Sequence, residues 1–139
     1  MNITNSIPVS TTASRTIEVT PDVTVAHFNA DMPAVFGTPF MVFVMEMAAS
    51  KAIEEYLPEG WLSVGVRVDV RHLAATPIGF TVTATARVTT VDERTVTFAV
   101  EAHDGVEKIG TGTHVRAPIE RVRFDRSMQE KQAQAPAGV

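Results

Sequence analysis

Cysteine is absent from this 139-residue chain. Disulfides, thiolate metal sites and thiol nucleophiles are excluded together. The four histidines (His27, His72, His103 and His114) lack the His-Glu-x-x-His spacing of a helical zinc site, so no metal is expected. There is no Gly-x-Gly-x-x-Gly turn, no phosphate-binding P-loop and no Gly-x-Ser-x-Gly elbow, which removes support for a dinucleotide, a nucleoside triphosphate or a serine triad. Charge of neither sign dominates: the net charge is −4, and without a basic patch nucleic acid is a poor partner. The longest apolar run, residues 39–49, is too short to span a bilayer and contains Glu46. The start of the chain has no basic patch followed by an apolar core, so no secretory signal is read there. A cytoplasmic enzyme or binding domain, outside the membrane, is the expectation.

What remains is an ordinary globular composition, 45% apolar and 20% charged, with length for one domain and a real core. Residues 1–14 are rich in Ser, Thr and Asn without a steady period and read as a loose segment. A short strand is expected over 15–20, a turn at Pro21-Asp22, an extended piece over 23–27 and a loop over 29–37. Thr38 reads as the N-cap of a helix, with Pro39 at the first helical position, where its missing N–H does no harm. That helix should run to about Tyr56 or Leu57 and stop at Pro58-Glu59-Gly60. Its first half is apolar on every side, so something must wrap it.

Long alternating patterns follow over 61–72, 80–91, 95–103 and 106–117, joined by turns at Asp92-Glu93-Arg94 and at Asp104-Gly105, a two-residue hairpin signal. Residues 119–124 read as a continuation of the last strand, and the tail over 126–139 as disordered. One buried helix followed by antiparallel strands is α+β. The economical arrangement is an antiparallel sheet wrapped round one central helix, the hotdog fold, occupying residues 15–125. Such a sheet keeps an open edge, so a homodimer that continues the sheet is expected.

Glu46 is the one charged side chain between Thr38 and Ser50. A carboxylate in such company is costly to ionise unless paired. Two readings stand: a structural carboxylate that reaches water or a basic partner, or a general base or nucleophile. Thr38 is a helix cap, and its hydroxyl also sits beside free backbone N–H groups, where a developing oxyanion is favoured. The two residues are eight positions apart, roughly 12 Å along a straight helix. They should not meet within one chain, whereas a site shared across a dimer would let the cap of one helix meet the carboxylate of the other. His72 ends a strand before a Pro-Gly turn and reads as a surface histidine or a proton shuttle. Gly65 interrupts a valine-rich strand, as a bulge or as a close approach of ligand to backbone. Arg116 shares a strand face with His114, Gly112 and Gly110; it is a surface arginine or an anion-binding group, and the glycines leave room for a ligand. His103 and His114 read as structural, and His27 gets no role.

Together these pieces resemble the fluoroacetyl-CoA thioesterase group within the hotdog thioesterases, over roughly residues 16–124. The resemblance lies in Thr38, Phe40-Met41-Val42 and Met45-Glu46, in His72-Leu-Ala-Ala-Thr-Pro-Ile-Gly79, and in the hairpin from Ala102 to Ala117. It implies hydrolysis of a small acyl-CoA thioester by a homodimer, with no cofactor. It implies Thr38, Glu46 and His72 as the catalytic set, with the Gly65 N–H on the thioester carbonyl and Arg116 near the substrate. Phe40, Phe43 and Met47 would set the depth of the groove. The group's fluoroacetyl-specific enzyme is expected to carry a phenylalanine lid before the helix. Here that loop reads Asn29-Ala30-Asp31-Met32-Pro33, so fluorine selectivity is not carried over. The competing reading is an acyl-CoA-binding hotdog module without turnover. A hydratase ranks lower, because the central helix presents no Asp-x-x-x-x-His pair.

Overall fold

A computed structural model describes residues 3–137. Five strands, β1 (Thr12–Glu18), β2 (Trp61–His72), β3 (Thr81–Val91), β4 (Val96–His103) and β5 (Lys108–Glu120), form one antiparallel sheet in the order β1-β3-β4-β5-β2. A long helix, α2 (Thr38–Ile53), continued by a 3-10 turn over Glu54–Tyr56, touches all five strands. This is the expected α+β hotdog layout. The core lies between them. Met41, Val44, Met45, Ala48, Ala49, Ala52 and Ile53 of the helix meet inward side chains such as Val82, Ala84, Ala86, Val88, Phe98 and Val100. Small alanines on both surfaces let helix and sheet approach closely.

Gly110 serves that approach. A Cβ there would lie 2.4 Å from Sδ of Met41. At Gly112 a Cβ would lie 2.2 Å from the Asp69 carbonyl oxygen. Both spaces are filled by protein, so these glycines pack the sheet and do not make room for a ligand, contrary to the expectation.

Four local expectations also change. Residues 23–27 are not extended: a 3-10 turn (Pro21–Val23) leads into α1 (Val25–Phe28), one helical turn. The start of the chain is held to the sheet at separate points, with Thr4 and Ile7 buried. The Thr4 hydroxyl donates to the Asp92 carbonyl, Ile7 enters the core, and Ser10 and Thr11 pair with Val88. Backbone pairing needs no particular side chain, and one isoleucine anchors the segment, so composition alone reads as loose. The expected loose residues 1 and 2, and the last two of the expected disordered tail, lie outside the described residues. Residues 126–132 of that tail belong to α3 (Arg121–Gln132), whose residues are all exposed and which also takes 121–124, expected to continue the last strand. Finally, the Asp104-Gly105 hairpin spans four residues, because the Asp104 carboxylate accepts the N–H groups of Val106 and Glu107. Among the described residues no helix is long and apolar enough to cross a membrane.

Candidate active site

The site begins with a bulge. β2 pairs with β5 as Gly65↔Arg116 and then Arg67↔Val115, so Val66 is an extra residue. A bulge inverts the in–out alternation that follows it. Gly65 and His72 have opposite parity, yet they lie opposite Arg116 and Gly110, on the face turned toward α2. Of the alternatives raised for Gly65, the bulge is present, and the close neighbour at its backbone is a protein side chain. A Cβ at Gly65 would lie 2.7 Å from Oε1 of Glu46 and 3.1 Å from Cε1 of His114. The helix carboxylate thus rests against bare strand backbone.

Behind it is a buried basic cluster. Arg116, 7% exposed, donates from Nε to the Ser63 hydroxyl at 2.8 Å, from Nη2 to the Ser63 carbonyl at 2.8 Å and from Nη1 to Nε2 of His114 at 3.2 Å. It is therefore not a surface arginine. Burial lowers its pKa, and Glu46 opposes that shift. His114, 1% exposed, contacts the Arg67 carbonyl through Nδ1 at 2.8 Å. Burial lowers its pKa; the Arg67 carbonyl raises it, Arg116 lowers it and Glu46 raises it. The ring is neutral near pH 7.

A second group lies at the other end of β2. The Thr38 hydroxyl and Nδ1 of His72 are 2.8 Å apart. Thr38 is not the cap: Gly37 holds that position, no side chain caps the helix, and Thr38 is its first residue. Its hydroxyl is turned to the histidine instead. Burial lowers the His72 pKa, against an interaction with the Ala74 backbone that raises it. Nε2 of His72 is buried without a hydrogen-bond partner among the described residues, an expensive state that a reacting group would relieve. His72 and Thr38 line a cleft of about 360 Å³ with Val25, Val35, Phe36 and Leu73. Beside it, an apolar cleft of about 370 Å³ lies between Val25, Phe28, Pro39 and Phe40, with the Phe28 and Phe40 rings stacked at 5.9 Å. Phe43 lies on the uncovered side of α2, 53% exposed.

A profile of the family described as FlK, fluoroacetyl-CoA-specific thioesterase, matches residues 19–122. The fluoroacetyl-CoA thioesterase of Streptantibioticus cattleyicolor is 44% identical over 126 residues, covering 86% of this chain and 88% of that protein. The chain belongs to the fluoroacetyl-CoA-specific thioesterase family. Among solved structures, the FlK thioesterase superposes with a TM-score of 0.85 at 40% identity, covering 93% of this chain and 98% of that one. A thioesterase superfamily member from Thermus thermophilus gives a TM-score of 0.86 at 28% identity, covering 92% and 95% of the two chains.

Within this FlK-family chain, the residues singled out from the sequence form two groups, Glu46 with Gly65 and Arg116, and Thr38 with His72. Phe40 flanks the second. His114 and Ser63 were missed as members of the first. The signal for His114 was present, since it shares the Arg116 face, but a histidine on an inward face is usually structural. Ser63 gave none, because its role depends on the bulge register. Among the described residues no cluster of three or more His, Asp or Glu is placed to hold a metal ion.

Proposed function

We propose that this FlK-family protein hydrolyses small acyl-CoA thioesters, with residues 15–125 as the catalytic domain of a cytoplasmic homodimer. The observation that carries the reading is the Glu46 carboxylate held against the Gly65 backbone, with the buried Arg116 guanidinium behind it. The Gly65 N–H polarises the thioester carbonyl. Glu46 either attacks the carbonyl carbon, giving a mixed anhydride, or takes a proton from an attacking water. In both cases the C–S bond breaks and CoA departs as the thiol, its sulfur protonated by way of His72, which Thr38 orients; on the first route a water then hydrolyses the anhydride and restores Glu46, and on either route the acyl group leaves as the free acid. Arg116 adds positive charge where anionic character develops.

The two groups of residues belong to one site only across a dimer. Gly65 and His72 are seven positions apart on β2, roughly 20 Å in an extended strand. An antiparallel β2–β2 pairing sets His72 of one protomer opposite Gly65 of its partner. Phe40, Phe43 and the Phe28–Phe40 cleft then bound the acyl group. The relatives named for fluoroacetyl-CoA suggest a short acyl chain.

The test is thiol release from a series of acyl-CoA esters. Wild-type protein releases CoA, and Glu46→Gln lowers kcat at least about 100-fold, since an amide can neither attack nor accept the proton. Binding without release across the whole series would establish the non-catalytic acyl-CoA-binding module instead.

A further inference from the structure

Ser63, Arg116, His114 and Arg67 form one closed chain of hydrogen bonds around the Gly65 bulge. Arg116 Nη2 donates to the Ser63 carbonyl on one side of the bulge, and His114 Nδ1 meets the Arg67 carbonyl on the other, each at 2.8 Å. The network assigns the histidine tautomer. A guanidinium only donates, so Nε2 of His114 must accept from Arg116 Nη1, and Nδ1 must carry the proton given to Arg67. Arg116 Nε donates to the Ser63 hydroxyl and completes the chain. Ser63, Arg116 and His114 are 8%, 7% and 1% exposed, so water does not compete for these bonds. Phe98 stacks on the His114 ring at 6.2 Å and fixes its plane.

A bulge disturbs the ladder bonds of its strand, so its shape is set by whatever else holds it. Here that duty falls to two side chains of β5, and what lies between their anchor points is Gly65, against which Glu46 rests. Glu46 also interacts electrostatically with both side chains.

We propose that Ser63 and His114 are positioning residues for thioester hydrolysis: the Ser63 hydroxyl holds the Arg116 guanidinium, which clamps one shoulder of the bulge, and His114 clamps the other, fixing the Gly65 N–H and the Glu46 carboxylate relative to the reacting carbonyl. The inference rests on the thioesterase reading above. The hydrogen bonds of both side chains are spent on Arg116 and the strand backbone, which leaves none for a substrate. Substrate affinity therefore stays, while the step that needs alignment suffers.

Three variants test this: Ser63→Ala, which removes one bond of the chain; His114→Phe, which keeps a ring against Phe98 but loses donor and acceptor; and His114→Asn, whose amide restores a donor for the Arg67 carbonyl. The expected result for Ser63→Ala and His114→Phe is a fall in kcat of about tenfold or more with KM within about twofold, and His114→Asn recovers a large part of the loss. A second readout needs no turnover. The carbonyl infrared band of a 13C-labelled acetyl-CoA analogue, with methylene in place of sulfur, shifts to lower frequency on binding wild-type protein, and that shift shrinks in Ser63→Ala. A Ser63→Ala protein with wild-type kcat, or an unchanged bound carbonyl band, overturns the proposal. If wild-type protein releases no thiol at all, the thioesterase reading fails, and the carbonyl band still reports on the clamp. Should His114→Phe fail to fold, Ser63→Ala and His114→Asn decide the matter.

Discussion

A single methyl group probes the contact between Glu46 and Gly65. Gly65 is not among the glycines with positive φ, which are Gly60, Gly79 and Gly105. Alanine is thus allowed by the backbone, and only space is at issue. Its Cβ would lie 2.7 Å from Oε1 of Glu46, too close for both to stay. The carboxylate is the flexible partner and gives way. Gly65→Ala is expected to cut kcat/KM by about 10- to 100-fold, while the melting temperature holds or rises slightly, because alanine lowers the entropy of the unfolded chain. Undiminished turnover would show that the reacting carboxylate does not work from this position. Gly65 was legible in the sequence as a break in a valine run, and Glu46 as a charge among apolar residues. Thr38 was misread as a cap, because Thr before Pro fits a helix start so well. Only the fold reveals that its hydroxyl faces His72 and that Gly37 takes the cap position.

At the scale of elements, the loop that follows His72 is tied to the β4–β5 hairpin by a buried pair. The Thr76 hydroxyl donates to Oδ2 of Asp104 at 2.8 Å, and the Thr76 carbonyl accepts the Phe36 N–H. Burial pushes the Asp104 pKa upward, but the N–H groups of Glu107 and Val106 and the Thr76 hydroxyl together outweigh it, and the pKa is lowered. A carboxyl depressed on folding adds stability above its unfolded pKa, about 3.9, and loses it as pH falls through the lower folded value. Asp104→Ala should therefore cost about 1–3 kcal/mol at pH 7 in urea unfolding, with a smaller difference from wild type at pH 3. An equal deficit at both pH values would mean that the ionised carboxylate is not what holds the hairpin. The strands themselves were legible, and the period-two pattern of the sequence appears as alternate burial in β3 and β4. The bulge was not, because the valines at 64, 66, 68 and 70 read as one face until Val66 is seen to be extra. Nor was α3, which has helix-forming residues and an Arg121–Asp125 pair at 3.0 Å but no buried face to give it a period.

At the scale of the molecule, α2 is apolar on more sides than one chain covers. Phe43 is 53% exposed, and on the edge strand β2 Val66 is 56% and Val68 41% exposed. A long, apolar, unpaired edge invites pairing with another chain. A two-fold axis through β2 would make the interface self-complementary and create two equivalent sites, each joining Glu46 of one protomer to His72 of the other. Subunit mixing then gives a quantitative expectation. Glu46→Gln and His72→Ala are each nearly inactive alone, since both sites of either homodimer lack one group. In a mixed dimer one site carries both lesions and the other carries neither. After random exchange of equal amounts, half the dimers are mixed and half of their sites are intact, so about one quarter of wild-type activity returns. Activity that stays at the level of the parent variants, with exchange confirmed by mass-tagged subunits, would place both residues within one protomer's site. A monomer by light scattering at micromolar concentration would remove the shared site altogether.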